Sequence, residues 1–132
     1  MHAMPSGGVL DLHLDCDVHP RTGFRRALNL VLFVGEWSAE WGGGLEFWEG
    51  KKQASVLPRR NRLVAFQTND FSYHGVPRPI PCPPGVLRKS LAVYFWEAVP
   101  HECQRPRAKF VSLPGEETSP EKLSWQEARC RS

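Results

Sequence analysis

Long hydrophobic runs are missing from this chain: no apolar stretch approaches the ~18 residues a membrane-crossing helix needs, and no charged-then-apolar leader opens it. A soluble, cytoplasmic protein without a membrane partner is the resulting expectation. Cysteine is sparse, with Cys16, Cys82, Cys103 and Cys130 far apart and no C-x-x-C pair among them. This argues against a zinc knuckle or a thioredoxin-type site, and the four are expected as free thiols. Charge of one sign is weak as well. Against 14 acidic residues stand 17 Lys and Arg, a formal +3 with no basic stripe, so a nucleic-acid partner is not expected. Helical periodicity is almost absent before residue 100 and no internal repeat is present, which leaves little room for a helical bundle or a repeat array.

What the chain does have is strand and turn signal. Its 132 residues make one domain, and 41% hydrophobic with 23% charged residues are ordinary globular proportions. Period-two alternation over residues 9–15 marks a half-buried strand, and residues 27–34 form a more continuous apolar run suited to a central one. Further strands are expected at 45–48, 62–67, 71–74 and 90–96, with a weaker one at 55–57. The 12 prolines and 11 glycines gather mainly between them. Many short strands with regular turns point to an all-β sandwich or barrel. The stretch Pro77-Arg78-Pro79-Ile80-Pro81 reads as a rigid loop in preference to a polyproline ligand. After residue 98 the composition turns polar, so residues 1–98 are read as the folded domain and 99–132 as a peripheral tail. A short helix there runs from Ser119 or Pro120 to residue 129, with Ser119 as cap and Glu121 at the positive end of the helix dipole.

Two short motifs carry chemistry. In Leu12-His13-Leu14-Asp15 the side chains of His13 and Asp15 project from the same face of a strand, and Ser72-Tyr73-His74-Gly75 supplies a second imidazole. Two imidazoles and one carboxylate on one side of Fe(II) leave positions open for a cosubstrate and O₂, the ligand pattern of non-haem iron oxygenases. Each residue also has an ordinary reading. Lone histidines in strands are usually structural, as His2, His19 and His101 are expected to be, and Asp15 alone could cap a turn. Trp37, Trp41 and Trp48 either stack on a ligand or fill the core.

The order of several further motifs narrows the reading. Gly7-Gly8-x-Leu10-x-Leu12-His13-x-Asp15, His19-Pro20-x-Thr22-Gly23, Arg26-x-Leu28-Asn29-Leu30, Trp41-Gly42-Gly43 and Leu45-Glu46-x-Trp48 are followed by Asn61-Arg62-Leu63-Val64-x-Phe66-x-Thr68, Ser72-Tyr73-His74-Gly75 and Arg88-Lys89-Ser90-Leu91-Ala92. Over roughly residues 7–97 this series resembles the 2-oxoglutarate and Fe(II)-dependent oxygenase superfamily, in its prolyl-4-hydroxylase-like branch. The resemblance implies a double-stranded β-helix, a cupin-like jelly roll, with His13, Asp15 and His74 as metal ligands. It also implies Arg88, helped by Ser90, as the grip on the distal carboxylate of 2-oxoglutarate, since a guanidinium fork takes a carboxylate with two parallel hydrogen bonds. Asn29, Val31 and Phe33 should line the pocket, while Lys89 points away. The implied cofactors are Fe(II), 2-oxoglutarate and O₂, with ascorbate as a supporting reductant. The implied reaction is hydroxylation of a C–H bond in a prolyl-like protein residue or a small molecule, releasing succinate and CO₂.

The chain departs from the family pattern in two places. Phe33 stands near a position where relatives often have a tyrosine whose hydroxyl supports 2-oxoglutarate, and Gly35 where they often have asparagine. Only 12 residues precede His13, whereas the fold ordinarily has helices and a first core strand there, so that strand is expected to be absent. Exposed backbone would follow from its loss. Two rival readings keep the same residues: a non-catalytic β-sandwich binding module, motivated by the missing strand, and a cupin-like Mn or Zn enzyme that does not use 2-oxoglutarate. From position alone, Trp37, Trp41 and the loop of residues 19–25 are expected at the substrate entrance.

Overall fold

A computed structural model of the chain describes residues 1–98, 105 and 107–131, with side chains described to residue 128. His101 and Cys103 therefore lie outside the described residues, as does the side chain of Cys130. Among the described residues nine strands form: β1 His2–Met4, β2 Leu10–Leu14, β3 Arg25–Phe33, β4 Leu45–Glu49, β5 Lys51–Val56, β6 Leu63–Gln67, β7 Tyr73–Val76, β8 Arg88–Glu97 and β9 Lys109–Val111. A helix, α1, follows at Pro120–Arg131. The strands make two antiparallel sheets, ordered β1-β8-β3-β6 and β5-β4-β7-β2-β9, which together form an all-β jelly roll. Among the described residues no helix is long and apolar enough to cross a membrane.

The long pair β3 and β8 explains why the barrel interior is polar. Antiparallel register sets Asn29 opposite Tyr94, Val31 opposite Ala92 and Phe33 opposite Ser90, while Leu28, Leu30 and Leu32 meet Phe95, Val93 and Leu91 on the other side. The first set faces inward, and Asn29, Phe33 and Ser90 are buried. The second turns apolar side chains to solvent, with Leu91, Val93 and Phe95 exposed and Leu63 of β6 beside them. A sheet built only to make a core would put its apolar face inside; here the interior holds buried His13, Asn29, His74, Arg88 and Ser90. Buried apolar side chains include Leu12 and Leu14 of β2, Leu45, and a cluster of Val76, Ile80 and Cys82, of which Leu45 and Val76 also line the cavity.

Three expectations need correction. A first strand is present: β1 pairs His2, Ala3 and Met4 with Ser90, Lys89 and Arg88, at the sheet edge beside β8. At three residues it is too short to show any period of its own, and its partner β8 fixes it. Trp37 and Trp41 do not open onto the larger cavity. Their rings meet edge-on at 5.3 Å, pack on the Val76–Ile80–Cys82 cluster, and Trp37 Nε1 donates to the Gly42 carbonyl at 2.9 Å. Nor does the loop of residues 19–25 line that cavity. Finally, the polar segment after residue 98 is not peripheral in its described part. Strand β9 extends the second sheet alongside β2, Leu113 is buried, and Ser119 Oγ accepts from the Lys122 N–H at the start of α1. Composition misleads here because polar partners do much of the docking: Lys122 Nζ and Gln126 Nε2 both reach the buried carboxylate of Asp11, each at 3.2 Å.

Candidate metal centre and cosubstrate pocket

His13 sits near the end of β2 and Asp15 just beyond it, while His74 lies on β7 directly opposite His13 in the antiparallel register. Adjacent strands thus bring the two imidazoles together, with ring centroids 4.4 Å apart. The Asp15 carboxylate reaches both: Oδ1 is 3.5 Å from His13 Nε2 and Oδ2 is 3.5 Å from His74 Nε2. One ligand atom from each of the three residues lies within 4.8 Å of the others. A β-bulge between Leu10 and His13 shifts the strand period, so that Leu10 and His13, three residues apart, both face the cavity.

Hydrogen bonds behind the rings set their tautomers. His13 Nδ1 donates to the Asp11 carbonyl at 2.9 Å and His74 Nδ1 to the Ser72 carbonyl at 2.8 Å. A carbonyl only accepts, so each Nδ1 carries the hydrogen and each Nε2 presents a lone pair toward Asp15. Such backbone support is what orients metal-binding histidines. Asp15 is steadied by Asn29 Nδ2, which donates to Oδ2, and by Arg26 Nη1 at 3.4 Å. Arg26 is itself clasped between the rings of Tyr94 and Trp96.

Electrostatics put the cluster in the state a cation requires. Burial works to raise the Asp15 carboxyl, but its contacts with the His13 and His74 imidazoles and the charge of Arg26 outweigh it and hold the group well below the ordinary carboxylate range. Burial, with His13 adding to it, lowers His74 to about 4. The site thus offers an ionised carboxylate and a neutral His74 at pH 7, as metal ligation needs. A pH dependence follows. The unfolded imidazole titrates near ~6.5 and the folded one at about 4, so between these values only the unfolded state binds the proton. Stability of the metal-free protein should fall as pH drops from ~6.5 toward 4, with no contribution from this group above that window. The urea midpoint should be lower at pH 4.5 than at pH 7, and His74→Gln should flatten the difference.

The cluster of His13, Asp15 and His74 opens onto a cavity of about 570 Å³ that also takes in Arg88 and Ser90 from β8. Alternation along β8 turns Arg88, Ser90, Ala92 and Tyr94 inward together and leaves Lys89 exposed. Arg88 Nε donates to the Gly43 carbonyl at 2.7 Å, and its guanidinium lies over the Phe33 ring at 5.0 Å. That carbonyl is aimed by a turn in which Gly42 and Gly43 both have positive φ, 53° and 64°, a conformation that side chains resist. The rest of the guanidinium is poorly satisfied: Nη1 meets only the Met4 sulfur at 3.9 Å, and Nη2 is buried without a partner. Burial lowers Arg88 to about 10, which leaves it charged at pH 7. A buried cation with an unpartnered donor, on a residue that lines the cavity, fits a carboxylate ligand.

Of the three residues expected to line the pocket, Asn29 and Val31 do, whereas Phe33 does not. Phe33 is fully buried beneath Arg88, so the guanidinium covers the face that would otherwise meet the cavity. Tyr94, unanticipated from the sequence, lines the cavity instead; the period of β8 would have found it, counting in twos from Arg88. Arg26 gave no comparable signal.

An antiparallel jelly roll that gathers two imidazoles and a carboxylate, with a buried guanidinium lining the same cavity, is the arrangement expected of a mononuclear-metal oxygenase. Residues 1–106 match the family described as the 2OG-Fe(II) oxygenase superfamily, and the chain belongs to that superfamily. No curated protein matches the chain. Membership implies Fe(II) and 2-oxoglutarate, and the donor set and the unsatisfied Arg88 fit both.

Proposed function

We propose that this chain is a 2-oxoglutarate-dependent dioxygenase of the prolyl-4-hydroxylase-like branch that hydroxylates an uncharged C–H group, in a prolyl-like residue of a protein or in a small molecule. The observation that carries this reading is the pairing, in one cavity, of the His13, Asp15 and His74 cluster with the unsatisfied guanidinium of Arg88. When bound, Fe(II), 2-oxoglutarate and O₂ supply the oxidising chemistry, with succinate and CO₂ as coproducts and ascorbate keeping the metal reduced. The protein contributes geometry and seclusion. His13 and His74 would give their Nε2 atoms and Asp15 its carboxylate to the metal, while Arg88 and Ser90 would hold the distal carboxylate of the cosubstrate. Leu10, Leu45, Phe66 and Val76 form apolar wall around them, which limits water near the reacting centre.

Substrate class follows from what the wall lacks. Apart from Asp15 and Arg88, no Asp, Glu, Lys or Arg side chain lines the cavity among the described residues. Once metal and cosubstrate occupy those two groups, a cationic substrate moiety would be buried without a counterion, at a cost of several kcal/mol or more. An aliphatic, uncharged group such as a pyrrolidine ring meets no such penalty.

The test is an anaerobic titration. Wild-type protein with Fe(II) should develop a weak visible charge-transfer band on adding 2-oxoglutarate, and Arg88→Met should need at least ~10-fold more cosubstrate to reach half its intensity. Folded wild-type protein that gives no band would overturn the proposal. Neither rival reading has an observation in its favour. The binding module rested on a missing first strand, whose place β1 fills, and a metalloenzyme without 2-oxoglutarate leaves the buried, unsatisfied Arg88 unexplained.

A further inference from the structure

We propose that β9 and α1, which lie beyond the family match ending at residue 106, form a positioning element for His13 in which Phe110 sets the tilt of the imidazole. The proposal rests on reading His13 as a metal ligand. In the second sheet His13 is paired on one side with His74 and on the other with Phe110, its direct cross-strand neighbour on β9. The Phe110 ring stacks on the imidazole with centroids 5.0 Å apart and planes at 27°. Without β9, β2 would be an edge strand with one row of unpaired backbone groups at the residue that must be held still.

Behind Phe110 the helix makes a second layer. Trp125 meets the Phe110 ring edge-on at 5.9 Å. Lys122, about one turn before Trp125, and Gln126, directly after it, grip the Asp11 carboxylate, and the Asp11 carbonyl is the acceptor that holds His13 Nδ1. The C-terminal segment therefore reaches His13 by two routes, through its ring face and through the backbone that fixes its tautomer. The Nδ1 hydrogen bond alone leaves the imidazole free to rock about that contact. A flat ring stacked on it removes this freedom and keeps Nε2 aimed at the site. Phe110 and Trp125 are thus positioning residues, acting on the metal only through His13.

Co(II), whose visible absorption reports its coordination, serves as the probe in titrations of the full chain without cosubstrate. Phe110→Ala should weaken Co(II) binding about 10-fold and alter the visible spectrum, whereas Phe110→Tyr, which keeps the flat ring, should bind as wild type does. Val111→Ala, on the same strand but the opposite face, should leave binding unchanged. If Phe110→Ala fails to fold, Phe110→Leu carries the test, since it keeps apolar bulk and loses the ring plane. Equal weakening in Phe110→Ala and Val111→Ala, or unchanged binding in Phe110→Ala, would overturn the proposal while leaving the metal site intact. Wild-type protein that binds no Co(II) would instead overturn the reading of His13 as a ligand, and this inference with it.

Discussion

Asp15→Asn should weaken divalent-metal binding by at least ~100-fold, about 2.7 kcal/mol, although the side chain changes by a single atom. Three features make the loss large. The carboxylate is the only anionic group among the three clustered ligand residues, so the substitution removes the whole negative charge offered to the cation. Arg26 stays behind, with Nη1 now 3.4 Å from a neutral oxygen or amide, and its uncompensated charge repels a divalent ion in a site where water screens little. The amide also cannot serve everything the carboxylate serves at once: Asn29 donates to Oδ2, and Oδ1 and Oδ2 face the two Nε2 atoms. Losing a supporting partner of a metal ligand costs ~10–100-fold in affinity; losing the charged ligand itself should cost more. Stability of the metal-free protein should fall too, by ~1–3 kcal/mol, because Arg26 is buried and loses its counterion. Competition titration with a chelating indicator measures the first effect and urea unfolding the second. A binding constant close to the wild-type value would remove Asp15 from the ligand set.

Legibility of the site in the sequence followed from how local its geometry is. His13 and Asp15 are two residues apart at a strand end, and Arg88 and Ser90 two apart at a strand start, so period-two reasoning places each pair on one face without knowing the fold. His74 could be placed only by resemblance, since its distance from His13 in the chain says nothing of the register that sets them opposite each other. Where the reasoning failed, the cause was tertiary. Phe33 shares a strand face with Asn29 and Val31, as alternation requires, but a guanidinium from the neighbouring strand lies over its ring. Strand β1 has three residues and owes its form to the ladder with β8. The polar stretch after residue 98 contains no apolar pattern to reveal that Phe110 reaches His13 or that Lys122 and Gln126 dock on a buried carboxylate. Even Arg26, beside Asp15 in space, is eleven positions away in sequence and gives no sign of the contact.

Gly75→Ala should be among the most damaging small substitutions in the chain, although Gly75 is not one of the three residues in the ligand cluster. A Cβ there would stand 2.6 Å from the Leu10 carbonyl oxygen and 2.7 Å from that of Asp11. Both are backbone atoms of β2, so no side chain can swing away and the two strands must separate. The separation falls at the bulge between Leu10 and His13, where β2 is reset so that Leu10 and His13 both face the cavity. Overpacking of this kind costs ~1–3 kcal/mol, enough to lower the melting temperature of a domain this size by roughly 5–15 °C. Function should suffer as well, because the displaced Asp11 carbonyl is the acceptor that holds His13 Nδ1; metal affinity is expected to drop ~10-fold. Gly35→Ala is the matched control. Its added Cβ would come no nearer than 3.5 Å to any neighbour, its φ is not positive, and the change should be neutral or slightly stabilising. Thermal unfolding of the two variants side by side decides the matter: a Gly75→Ala protein as stable as Gly35→Ala would mean that β2 and β7 can part at no cost, and that the close approach of Gly75 to β2 does not hold His13 in place.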